Sequence, residues 1–171
     1  MKKCILLTFL MLLTLSTTLF GQVKHEEFTD ESILLMDGSL ISGVELTNKV
    51  IIVNVWATWC KYCIKEIPDL NRLAMKYQNS DDVLFLAIAP DDADHSGKLK
   101  RFLEKNEFLF QQVAPSTTPI FLKRTEEMRY PTTIVYNKHG EAEEMFVGAL
   151  KKGELKKIHR IINEFAANGD L

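Results

Sequence analysis

Val50-Ile51-Ile52-Val53-Asn54-Val55-Trp56-Ala57-Thr58-Trp59-Cys60-Lys61-Tyr62-Cys63-Ile64-Lys65-Glu66-Ile67-Pro68 changes character twice along its length. It opens as a β-branched, almost wholly apolar run with no Gly or Pro, the pattern of a strand buried on both faces. Two tryptophans follow, then Cys-x-x-Cys. Ile64, Ile67, Leu70, Leu73 and Ala74 then recur at helical spacing. A strand that turns straight into a helix puts Cys60 at or just before the helix N-terminus. There, unpaired backbone N–H groups and the positive end of the helix dipole favour a thiolate. Cys63 falls one turn inside, within bonding reach. The spacing is that of a dithiol that cycles between thiol and disulfide.

Two other uses of a cysteine pair are a zinc half-site and a static disulfide. Zinc needs two further ligands. Outside the motif there are only Cys4 and four scattered histidines, His25, His95, His139 and His159, none at ligand spacing to another. A static bridge closing so small a loop would constrain the unfolded chain little. Redox chemistry is the expectation, with no cofactor and no metal.

Trp56-Ala57-Thr58-Trp59-Cys60-Lys61-Tyr62-Cys63 resembles the W-A-x-W-C-x-x-C signature of the thioredoxin superfamily, and Pro68 matches that family's helix proline. Asn54 stands where thioredoxins proper carry a buried Asp. Glu66, three residues after Cys63, matches a glutamate of the TlpA/ResA-type extracytoplasmic thiol–disulfide oxidoreductases. The resemblance covers roughly residues 33–166. It implies an α/β, thioredoxin-like fold: a central mixed sheet flanked by helices, with an N-terminal hairpin and a central insertion of the TlpA type.

The ends add a compartment. Met1-Lys2-Lys3 and the apolar run Ile5–Phe20 read as a secretory signal peptide over residues 1–21 or, if uncleaved, as an N-terminal anchor. Cys4 precedes the apolar run and so is no lipoprotein acylation site. Cleavage after Gly21 would leave Cys60 and Cys63 as the only thiols, as expected of an exported protein that keeps them for chemistry. Removing Lys2 and Lys3 from the 21 basic residues leaves 19 against 23 acidic ones, which argues against a nucleic-acid partner. Residues 22–32 read as a lead-in and 33–168 as one domain.

Ile33–Met36 with Asp37-Gly38 predicts a strand and turn, with Leu40, Ile41 and Val44 continuing toward the central strand. The helix after the motif is expected to end near Gln78. Val83–Ala89 predicts a second buried strand, and Asp91, Asp92 and Asp94 a solvated loop in preference to a metal site. A helix over Asp94–Asn106 follows, with Leu99, Phe102 and Leu103 on one face. Phe108–Val113 suits a short strand and Pro119–Arg124 a helical turn. Arg129-Tyr130-Pro131-Thr132-Thr133 leads into a strand over Ile134–Tyr136, and Asn137-Lys138-His139-Gly140 forms the turn to a strand near Glu144–Val147. Lys152–Ala167 closes the chain as an amphipathic helix ended at Asn168-Gly169.

Pro131, ahead of Thr132-Thr133, matches the cis-proline that thioredoxin folds pack against the dithiol. A proline there makes a cis bond accessible and withholds an N–H at the strand edge, where the Tyr130 backbone is expected to pair with a bound peptide. Catalytic roles follow: Cys60 as nucleophile, Cys63 as resolving thiol, and Glu66 as candidate base for the Cys63 proton, or else a surface glutamate suited to the helix dipole. Trp59, Lys61, Tyr62, Tyr130 and Pro131 are the expected substrate-facing residues. The expected partners are disulfide-bearing protein substrates and an upstream membrane electron donor, in cytochrome c maturation or disulfide repair. The main alternative is a thioredoxin-fold copper-binding carrier using the same cysteines. Such carriers space their cysteines by three and bring a distal His in a recognisable loop. A peroxide reductase would want Thr three residues before the cysteine, where Ala57 stands.

Overall fold

The computed structural model describes residues 32–90, 97–115 and 129–166. The signal-peptide segment, the Asp91–Asp94 cluster, Pro119–Arg124 and Asn168-Gly169 lie outside them. In order, the elements are β1 (Ser32–Leu34), β2 (Leu40–Ser42), α1 (Gly43–Leu46), β3 (Val50–Val55), α2 (Lys61–Lys76), β4 (Val83–Ile88), α3 (Lys98–Leu103), β5 (Gln111–Gln112), β6 (Thr132–Tyr136), β7 (Ala142–Val147) and α4 (Lys152–Ala166).

Five strands form one sheet in the order β5-β4-β3-β6-β7. β3 pairs parallel with β4 and antiparallel with β6. Every residue of β3 is buried, because alternate side chains feed two cores. Val50 and Ile52 join Leu70, Leu73, Leu99, Ile158 and Ile162 on the face covered by α2, α3 and α4. Ile51, Val53 and Val55 join Ile33, Leu35 and Leu46 on the other, which the β1–β2 hairpin and α1 cover. The expected central strand, hairpin and mixed sheet are therefore present.

Val44 departs from expectation. It does not continue a strand but sits exposed in α1. Ser42 accepts a hydrogen bond from the Glu45 N–H while the Glu45 carboxylate accepts from the Ser42 N–H, a capping box that turns the chain into a helix. α2 ends at Lys76, slightly short of Gln78, and α3 occupies Lys98–Leu103 within the helix expected across Asp94–Asn106, whose first three residues lie outside the described ones.

The far end of α2 is tied to α4 by a polar chain. Lys76 Nζ lies 2.8 Å from His159 Nε2, and Tyr77 Oη contacts His159 Nδ1. Lysine can only donate, so Nε2 accepts, Nδ1 carries the proton toward Tyr77, and Tyr77 donates to Asn163 Oδ1 (3.1 Å). Partial burial and the Lys76 ammonium hold His159 below the usual imidazole range. The unfolded chain then takes up the His159 proton first as the solution is acidified. The His159 contribution is thus complete above the unfolded imidazole value and is lost as pH falls from there through the lowered folded one. Thermal melts between neutral and mildly acidic pH should show His159→Gln losing less stability than the parent. Parallel curves would remove His159 from the account.

Candidate active site

β3 ends at Val55, and the next residues build the site. The Trp56 N–H continues the ladder to Ile88 O (2.9 Å), and the Cys60 N–H closes a turn on Ala57 O (3.0 Å). The Trp56 indole is fully buried, against the rings of Phe102 and Phe108 at 5.2 and 5.3 Å. This anchors the loop from beneath. Cys60 is the N-cap of α2, and its Sγ accepts from the Cys63 N–H at 3.2 Å. The two sulfurs are bonded, with Cα atoms 5.3 Å apart. Cys60 is 6% exposed and Cys63 1%. The expected order of accessibility holds by a narrow margin, because Cys60 too packs into the core cluster beside the helix.

The residues expected to face a substrate lie near this pair. β6 runs antiparallel to β3 with Thr132 opposite Val55, so Pro131 arrives at the end of β3 from which the dithiol loop departs. Pro131 is buried and its bond to Tyr130 is cis. The Tyr130 ring meets Trp59 edge-on at 5.6 Å. Trp59 and Tyr62 are 66% and 67% exposed, and Lys61 is exposed beside them. Aromatic surface left open around a reactive bond is suited to contact with another macromolecule.

Glu66 is not at the surface. It is 4% exposed, and both carboxylate oxygens are engaged. Asn54 Nδ2 donates to Oε1 at 3.0 Å and the Leu150 N–H to Oε2 at 3.0 Å. Burial pushes its carboxyl above the usual glutamate value, opposed by the hydrogen bonds from Leu150 and Asn54, with the Asp69 charge adding to the rise. Sequence reasoning found Asn54 only as the absence of an acid. It missed Thr133, whose Oγ1 accepts the second Asn54 amide proton at 3.0 Å, and the Leu150 backbone. A backbone amide contributed from so far along the chain leaves no side-chain signal.

Among the described residues no group of three His, Cys, Asp or Glu could hold a metal ion. Nor is any helix there long and apolar enough to cross a membrane. His139, expected in a turn, is exposed in the β6–β7 turn. Two surface grooves of about 390 and 350 Å³ are lined by residues such as Tyr77 and Leu109, and Met36 and Gln112. Neither is lined by a residue of the dithiol loop.

The family model described as Redoxin matches residues 24–162. The chain belongs to the Redoxin family. It is 27% identical over 143 residues to the thioredoxin-like protein YneN of Bacillus subtilis (strain 168), covering 80% of this chain and 79% of that one. It is 28% identical over 134 residues to the thiol-disulfide oxidoreductase ResA of Bacillus anthracis, covering 72% and 71%. The crystal structure of StoA from Bacillus subtilis superposes with a TM-score of 0.62 at 22% identity, over 75% of this chain and 95% of that one. The fold is thioredoxin-like, and the chain is a thiol–disulfide oxidoreductase whose redox pair is Cys60–Cys63.

Proposed function

We propose that the protein reduces disulfides of exported proteins, with Cys60 as nucleophile, Cys63 as resolving thiol and Glu66 as base. The observation that carries this reading is the placement of Cys60 Sγ at the cap of α2, hydrogen-bonded to the Cys63 N–H. That N–H and the helix dipole favour negative charge on Cys60 in the reduced pair. The Cys60 thiolate attacks one sulfur of a client disulfide, and the client's other sulfur leaves as a thiolate. Cys63, having passed its proton to Glu66, then attacks Cys60 Sγ. The mixed bond breaks, the Cys60–Cys63 bond forms, and the client leaves with both sulfurs reduced. Two electrons move from the dithiol to the client.

Trp59, Lys61, Tyr62, Tyr130 and Pro131 form the client-facing surface. Support comes from the open aromatic pair and from Pro131, whose carbonyl accepts from the Gly148 N–H at 2.8 Å. Export rests on the leader-like residues 1–21 and on the restriction of the other cysteines to the motif. Reducing equivalents then come from a membrane-bound donor, in cytochrome c maturation or disulfide repair, with residues 1–21 as the tether if they are retained. The test uses pre-reduced full chain mixed with a disulfide-bonded protein such as insulin. Client thiols should appear in step with oxidation of Cys60 and Cys63. No thiol transfer at any client concentration would overturn the proposal.

A further inference from the structure

Asn54 is the one polar residue of β3, buried on a strand whose other members are all apolar. Burying an amide in a central strand costs stability unless each of its protons finds an acceptor. Both do. One Nδ2 proton goes to Glu66 Oε1 and the other to Thr133 Oγ1, each at 3.0 Å. An ionised carboxylate only accepts, so its charge fixes which end of the amide faces it. Thr133 lies directly opposite Asn54 in the antiparallel register. Three elements thus meet at one buried side chain: β3, β6, and α2 through Glu66.

The chain of bonds continues beyond Glu66. Its second oxygen holds the Leu150 N–H, and two residues earlier the Gly148 N–H donates to Pro131 O at 2.8 Å. The segment after β7 is therefore pinned at one point to the buried carboxylate and at another to the proline beside the dithiol. Glu66 also sits one helical turn beyond Cys63. A carboxylate in that position, held by two donors, cannot swing away from the face of α2 that it shares with Cys63.

We infer that Asn54 is a positioning residue for proton transfer at the dithiol, acting through Glu66, and that Thr133 is the anchor that fixes its amide. This rests on the assignment of Glu66 as the base. Asn54 sets the geometry and the charge preference of that base. Its N–H favours the ionised form, which can take the Cys63 proton when Cys63 attacks Cys60. The proton then resides on Glu66 until solvent or the departing client thiolate removes it. The groups acting on Glu66 are Asn54 from β3, Leu150 N–H from the segment after β7, and Asp69 from its own helix. Thr133 of β6 acts on it through Asn54.

Two variants separate positioning from packing. Asn54→Asp keeps the shape and replaces a donor by a second carboxylate beside Glu66, so the two titrate as a pair with the first proton held to higher pH. Thr133→Val keeps the shape, removes the hydrogen bond to Asn54 and none of those to Glu66, and frees the amide to turn its oxygen toward a protonated Glu66. Two readouts apply to the full chain: the pH profile of mixed-disulfide resolution in single turnover, and the pH titration of the Leu150 amide resonance by NMR. Both midpoints should move up in both variants, more for Asn54→Asp. Below the midpoint, resolution should slow about tenfold, the loss of one hydrogen bond to a charged group. If Asn54→Asp does not fold, Thr133→Val and the Leu150 resonance decide. Unmoved midpoints with a lowered melting temperature would make Asn54 a packing residue and overturn the inference. A parent protein that transfers no thiols would instead overturn the proposed function, while the Leu150 titration would still report whether Asn54 governs Glu66.

Discussion

Cys60→Ser should reduce thiol release from a protein disulfide to the uncatalysed background, and Cys63→Ser should stop the reaction one step later with the client still attached. The asymmetry follows from the start of α2. Cys60 occupies the N-cap, where its sulfur accepts from the Cys63 N–H. Cys63 lies inside the helix with 1% of its surface exposed. Cys60 is 6% exposed against 1% for Cys63, so in the proposed mechanism the first bond forms at Cys60. A serine hydroxyl is not ionised at neutral pH and cannot replace a thiolate there. In Cys63→Ser the first exchange still proceeds, but no second thiol is present to release the client. Non-reducing gels and intact-mass measurement should show a stable adduct for Cys63→Ser and none for Cys60→Ser. An adduct on Cys63 in the Cys60→Ser protein would reverse the assignment.

The architecture was legible where one sequence pattern had only one structural solution. Val50–Val55 reads as buried on both faces because it is, with two cores taking alternate residues. Cys60 marks the helix start because a strand followed by a short turn and a 3.6-residue period leaves it nowhere else. Leu155, Ile158, Ile161, Ile162 and Phe165 all face the core from α4, as their spacing required. Val44 reads as strand only when an apolar residue after a strand outweighs the local signal. Ser42-Gly43-Val44-Glu45 carries a capping box in plain view.

The site was half legible. Cys60, Cys63 and Pro131 belong to a motif or to its immediate strand context, so the sequence located them. The burial of Glu66 was not accessible in the same way. Helical spacing places residue 66 on the inner face of α2, yet an acidic side chain there is ordinarily turned outward. What holds it inside is a set of donors from β3 and the segment after β7, brought together only by the fold. Thr133 illustrates the same limit. In sequence it is one more β-branched strand residue, and its hydroxyl matters only because the register sets it against Asn54.

Glu66→Gln should slow resolution of the mixed disulfide by on the order of a hundredfold or more, the usual contribution of a general base, while leaving formation of the mixed disulfide at Cys60 nearly unchanged. Gln keeps the length and shape and removes the site that accepts the Cys63 proton. The same substitution has a second signature in stability. In the folded protein burial raises the Glu66 carboxyl above its ordinary value, despite the donors from Leu150 and Asn54. The folded state therefore holds the Glu66 proton at pH values where the unfolded chain has released it. The stabilisation from holding that proton is complete below the ordinary glutamate value and is lost as pH rises through the raised one. Gln does not titrate, so it escapes that loss. It carries a constant penalty instead, because one of the two N–H donors now faces its amide group. The stability of Glu66→Gln relative to the parent should thus improve steadily from mildly acidic to neutral pH. Denaturant melts of the oxidised proteins across that range measure the difference, and single-turnover rapid quench measures resolution. A pH-independent gap between the two melting series, with equal resolution rates, would leave Glu66 as a buried structural carboxylate and return the proton of Cys63 to solvent.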